Sequence, residues 1–186
     1  DELERSVHAH RIPPLHIFLS FHLGDQLGVT SFSDTLLCFS GKQFEKQALS
    51  FPDDVKERQI YGMLPLSGDT VLMAMNTSHF YYLLRNTGEG KEVKSGWGGA
   101  TLRYLQAEEA IPYVLKRCPN GNIGIGFIFS EDIAYMEVCP SGRVEFVAGL
   151  GSGLADPYAM DLLHSSDGSL WLTQNNGITK IEQQAA

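Results

Sequence analysis

The sequence is poor in positive charge, in cysteine and in long apolar runs, and each shortage removes a class of protein. Lys and Arg number 14 against 22 Asp and Glu, a formal charge of −8. A negative chain repels phosphate backbones and anionic lipid, so neither nucleic acid nor a membrane surface is expected as a partner. The 3 cysteines, Cys38, Cys118 and Cys139, are too few and odd in number for a disulfide framework. They form no CxxC and no Cys/His pair at metal-site spacing, so no metal and no cofactor is expected. They read as buried small hydrophobes. The longest apolar stretch, residues 15–21, falls far short of the ~20 residues of a spanning helix. The first residues, Asp1-Glu2-Leu3-Glu4, are acidic, unlike the basic start of a secretory leader, so either a cytosolic (cytoplasmic) protein or one whose targeting segment has been removed is expected. Charged residues make up 19% and hydrophobic ones 43%, a balance that excludes a disordered chain.

What the sequence does have is glycine, 19 residues of it, placed with a period. Gly24, Gly68, Gly121 and Gly168 each sit in a turn signal: Leu23-Gly24-Asp25, Ser67-Gly68-Asp69, Asn120-Gly121-Asn122 and Asp167-Gly168-Ser169. They recur about every 45–55 residues, close to the roughly 40–50-residue repeat of propeller blades. Each is flanked by apolar, β-branched or aromatic runs of strand length. Around the third, the runs are Ile111–Arg117, Ile123–Phe129, Ile133–Val138 and Arg143–Ala148. The unit therefore reads strand–turn–strand–turn–strand–turn–strand, with buried inner strands and a charged outer one. The expected fold is all-β: a β-propeller segment of about four blades of four-stranded antiparallel sheet, spanning roughly 15–50, 60–95, 111–148 and 157–184. Helix is expected to be scarce, confined to turns within 51–58 and 101–110. The last repeat stops after three strands. Either residues 1–12 supply the missing strand and close a four-blade ring, or the chain is a slice of a longer propeller.

The last repeat is the most specific. Asp167-Gly168-Ser169-Leu170-Trp171-Leu172, followed by Asn176-Gly177-Ile178, resembles the repeat of the two-component regulator propeller family. The family's Gly-Thr is replaced here by Thr173-Gln174. The stretch beginning Pro157-Tyr158-Ala159 is also similar to the blades of virginiamycin B lyase-type propellers. The residues themselves have scaffold roles. Asp167-Gly168 suits a type I′ or related hairpin turn, Asn176-Gly177 suits the next turn, and Trp171 is expected as a wedge between blades.

Specific catalytic sets are absent. Gly149-Leu150-Gly151-Ser152-Gly153 precedes a strand and reads as a loop between blades, unlike a strand-to-helix nucleophile elbow. His8 and His10 share a strand face in principle, but histidines in a terminal tail are common. Ser95-Gly96-Trp97-Gly98-Gly99 presents a tryptophan on a flexible loop, costly unless it binds or packs back. Trp97, Arg103 and Tyr104 are the expected binding residues, together with His164 at the end of an inner strand. Cys118 and Cys139 end the first and third strands of one blade. Alternate strands lie about 10 Å apart, beyond disulfide reach, so both are expected as free thiols.

The first resemblance implies a binding or sensing module, like the extracytoplasmic propeller of a hybrid two-component sensor. Its ligand would be a small molecule, often carbohydrate-derived, and its location periplasmic or extracytoplasmic. The second implies a lyase-like enzyme using a histidine and a carboxylate near the central channel, for which His164 is the only candidate. A protein-interaction scaffold, contacting a partner protein or further blades, is the third reading. Propellers host all three.

Overall fold

In a computed structural model the described residues are 17–23, 26–31, 35–39, 41, 43–51, 59–66, 68–76, 79–92 and 110–182. The described residues form fifteen strands in four antiparallel sheets, in chain order. The first sheet is β1 (Ile17–Leu23), β2 (Gln26–Ser31), β3 (Thr35–Phe39) and β4 (Phe44–Ala48). The second is β5 (Ile60–Pro65), β6 (Thr70–Met75), β7 (Phe80–Leu84) and β8 (Glu89–Glu92). The third is β9 (Ile111–Arg117), β10 (Ile123–Ile128), β11 (Ile133–Val138) and β12 (Val144–Gly149). The fourth is β13 (Asp161–His164), β14 (Leu170–Gln174) and β15 (Gly177–Ile181). Within each sheet every strand pairs with its successor, so each is a meander. The first strands β1, β5, β9 and β13 are successive neighbours, as the inner strands of propeller blades are.

The blades are held by apolar clusters between them. One face of β6, Val71, Met73 and Met75, packs with Leu36 and Leu49 of blade 1. Its other face, Leu72 and Ala74, packs with Ile123, Ile125 and Phe127 of β10. The alternate face of β10 carries Gly124 and Gly126, turned toward blade 4. A Cβ on Gly126 would lie 2.5 Å from Val114 and 3.0 Å from Ala159. Blade 4 closes this interface with Leu162, Leu170 and Leu172 against Ala134, Tyr135 and Ala148. Each such fully buried aliphatic side chain contributes roughly 1.5–3 kcal/mol. A continuous apolar run in a strand thus reflects burial on both faces, between two neighbours.

Details differ from the sequence expectation. The fourth strand of blade 2 begins at Glu89, because the turn lies at Arg85–Gly88, closed by Gly88 N–H donating to Leu84 O at 2.8 Å. The inner strand of blade 4 begins at Asp161, after a segment held by Ala159 N–H to Phe127 O at 2.8 Å. The Gly149–Gly153 loop holds a 3₁₀ turn, Leu150–Ser152, ended by Gly153 at φ 90°. Residues 1–12, and most of 51–58 and 101–110, lie outside the described residues, as do the closing strand and helical turns expected there. All three cysteines are unbridged. Strand β10 lies between the strands that Cys118 and Cys139 end.

Candidate functional site

Three hairpin turns of one design line the same end of blades 3 and 4. In Cys118–Asn122, Cys139–Arg143 and Ser165–Ser169, the fourth residue is a glycine at positive φ: Gly121 at 86°, Gly142 at 84° and Gly168 at 84°. Its N–H donates to the first residue's carbonyl, and the first residue's N–H donates to the fifth residue's carbonyl, at 2.8–3.1 Å. This is a type I turn followed by a glycine bulge. Of the type I′ or related hairpin turns expected at Asp167-Gly168, the structure has a related one: type I′ would need positive φ at both central residues, and Asp167 does not adopt it. Asp167 accepts hydrogen bonds from the Ser165 hydroxyl and from Ser169 N–H. In the next turn Gln174 pairs directly with Gly177, so Asn175 and Asn176 are the central residues and Gly177, at φ 136°, opens β15.

Trp171 departs from its expected role. It pairs with Leu163 and Lys180 on the face of blade 4 turned away from blade 3. There it is 36% exposed, with the Lys180 ammonium 5.7 Å from its ring. Leu170 and Leu172, one residue either side, fill the interface instead. Trp97, Arg103 and Tyr104 lie outside the described residues.

His164 is described, and the fold gives it partners that sequence spacing could not. It is the last residue of β13, beside the turn at Cys118 and the end of β11. One ring nitrogen of His164, Cys118 Sγ and a Glu137 carboxylate oxygen all lie within 4.8 Å of one another. Cys118 and Glu137 are each 3% exposed. The buried carboxylate is compensated by amides: Asn120 Nδ2 donates to Glu137 Oε1 at 2.6 Å and Asn122 Nδ2 at 2.8 Å. The Tyr135 hydroxyl reaches Glu137 Oε2 at 3.3 Å and lies 3.6 Å from Cys118 Sγ. His164 Nε2 is buried without a hydrogen-bond partner. Gly124 makes the room: a Cβ there would lie 3.0 Å from the Tyr135 hydroxyl and 3.3 Å from Cys118 Sγ.

The cluster's electrostatics follow from burial. Desolvation pushes the Cys118 thiol above its ordinary range, a shift only partly offset by the Tyr135 hydroxyl. Desolvation and the neighbouring thiol and carboxylate push Tyr135 far upward. Desolvation lowers His164, against the attraction of Glu137. The histidine is therefore held toward its neutral form, with a lone pair available. A thiol, a carboxylate and a neutral imidazole are donors that a divalent metal ion takes.

Beside the cluster, Asn120, Asn122, Glu137, Glu145, Phe146, Ile181 and Glu182 line an open cleft of about 490 Å³. Glu137 thus serves both as a member of the cluster and as part of the cleft wall. A smaller, mainly apolar groove of about 280 Å³ lies on the exposed face of blade 4, beside Leu163, Trp171 and Ile178. Lys116 borders it, bridging Asp161 at 2.6 Å.

Sequence reasoning found His164 but assigned it no acidic partner. It missed Glu137, and treated Cys118 only as a buried small residue. Two signals were present: Glu137 is the one charged residue in the strand Ile133–Val138, and two amides flank Gly121.

No protein-family model matches the sequence, and no curated protein matches it. Among solved structures, the chain is similar to the extracellular domain of a protein described as a putative hybrid two component system from B. thetaiotaomicron. The identity is 11% and the TM-score 0.64, covering 97% of this chain and 22% of that one. It is also similar to the WD40 β-propeller domain of Doa1, at 11% identity and TM-score 0.61, covering 91% and 51%. A third is YCF48 bound to D1 peptide, at 13% identity and TM-score 0.54, covering 94% and 52%. The chain spans about a fifth of the bacterial extracellular domain's length. At these identities the likeness is one of fold, and the fold is a β-propeller.

Proposed function

We propose that the chain is a ligand-binding part of an extracytoplasmic sensor propeller, with its ligand seated in the cleft between blades 3 and 4. The observation that carries this reading is the cleft lining: two amides, three carboxylates and the ring of Phe146, which is 39% exposed. Paired amides and carboxylates accept and donate hydrogen bonds to hydroxyls, and an exposed ring gives a sugar face something to stack on. Three carboxylates repel anions. A neutral, polyhydroxylated small molecule fits this chemistry, in line with the carbohydrate-derived ligands that the sequence resemblance implies. Trp97, Arg103 and Tyr104, in the connection between blades 2 and 3, are proposed as further binding residues, and His164 as a support of the cleft wall through Glu137.

The test is calorimetric titration of the chain with a panel of neutral oligosaccharides, repeated on Phe146→Ala and Trp97→Ala. Saturable binding that Phe146→Ala weakens about tenfold or more supports the reading. Absence of binding across the panel, or binding indifferent to both substitutions, overturns it. The full reading frame tests the cellular placement: a following transmembrane segment and kinase supports it, and a cytosolic context without either opposes it.

A further inference from the structure

We propose that Cys118, Glu137 and His164 form a binding site for a divalent cation of the zinc class, which pins blade 4 to blade 3. The donor set is the first ground. Thiolate, imidazole and carboxylate are the side chains that zinc takes, and a thiolate discriminates against magnesium and calcium.

Geometry is the second ground. Ligand atoms around a tetrahedral zinc, at bond lengths of about 2.0–2.3 Å, stand roughly 3.3–3.8 Å apart. The three donors here already lie within 4.8 Å of one another. Closing on an ion takes side-chain movements of about 1 Å and no change of strand register. Three protein ligands leave a fourth position for water.

The unsatisfied histidine is the third ground. A buried ring nitrogen without a partner, such as His164 Nε2, is costly to maintain. The surrounding groups have the form of supports for a metal ligand. Both Asn amides donate to Glu137 Oε1 and fix the carboxylate, while Oε2 has only the longer Tyr135 contact. Hydrogen-bonded carboxylates of this kind orient ligands in metal sites.

Charge closes the argument. Binding breaks the Cys118 S–H bond, releases its proton to solvent, and forms a metal–thiolate bond. The thiolate and the Glu137 carboxylate then cancel the 2+ charge, so a neutral group replaces a buried negative charge held only by neutral hydrogen-bond donors. A Cys–His nucleophilic pair is the competing use of these residues, and it needs a direct hydrogen bond between them. None joins Cys118 to His164; the thiol's partner is Tyr135, at 3.6 Å.

The experiment uses the purified chain under reducing conditions, loaded with Zn(II), gel-filtered and analysed for metal. In parallel, Co(II) is titrated and its absorption recorded. One retained zinc per chain is expected, with a thiolate-to-cobalt charge-transfer band and the visible bands of four-coordinate cobalt. Cys118→Ser should abolish the charge-transfer band, and His164→Ala should weaken zinc retention by about 10–100-fold or more. The double substitution His8→Ala, His10→Ala should leave both readouts unchanged. If the site variants fail to fold, Cys38→Ser and Cys139→Ser decide it, since the band must survive both. No retained zinc and no charge-transfer band in the unsubstituted chain overturns the proposal. So does a band lost with Cys38 or Cys139, or zinc lost with the two tail histidines.

Discussion

Asp167 shows how one side chain holds a turn. The Ser165 hydroxyl first, then the Ser169 N–H, hold its carboxyl at about 2, against an ordinary 3.8. Because the folded value is depressed, the charged carboxylate's contribution is complete above about pH 4 and fades as pH falls through about 2. Carboxyl-detected NMR titration should find Asp167 protonating near pH 2. Asp167→Ala should be less stable than the parent at pH 6, and the difference should vanish near pH 2. A glycine at φ 84° then completes the turn, in a conformation that β-carbon-bearing residues rarely adopt. Asn120 and Gly121 hold the same places one blade earlier, and there the polar side chain has a second use. Asn120 accepts from Asn122 N–H at 3.0 Å while its amide donates to Glu137.

Strands divide their residues between two neighbours, and the period of two settles which substitution matters. In β14, Leu172 is fully buried against blade 3, whereas Trp171 stands on the open face beneath Lys180. Leu172→Ala should cost about 2–5 kcal/mol. Trp171→Ala, though it removes more atoms, should cost less than about 2 kcal/mol, because part of the ring stays in water. Urea denaturation of the two variants checks the order. The same period explains Ile123-Gly124-Ile125-Gly126-Phe127. The large residues serve the blade 2 interface, and the glycines leave space for Tyr135, Val114 and Ala159 on the blade 4 side.

Across the whole molecule, stability is a chain of interfaces between blades, as in other repeat proteins. The described residues contain three buried clusters, each joining consecutive blades. Phe127 belongs to the one between blades 2 and 3. Phe127→Ala should cost about 3–5 kcal/mol. Hydrogen exchange followed by mass spectrometry should show protection falling together in β6, β7, β10 and β11. Protection in β14 and β15, which belong to another cluster, should change less. Equal loss in all four blades would mean that the array unfolds as one unit.

Much of this was written locally. Glycine period, apolar runs and polar breaks determined the number of blades and the approximate limits of the fifteen strands, because turns and strand alternation depend on residues a few places apart. Trp171 marked its repeat correctly but not its surroundings, since the chain says nothing local about which sheet face has a neighbour. The Cys118–Glu137–His164 cluster was illegible for a related reason. Its members come from the ends of three strands in two blades, and only the packing of β13 against β9 and β10 brings them together. The sequence by itself determined a propeller of β-meanders. The tertiary structure alone decided which thiol meets which carboxylate and imidazole, because proximity between blades is a property of stacking, with no imprint on spacing along the chain.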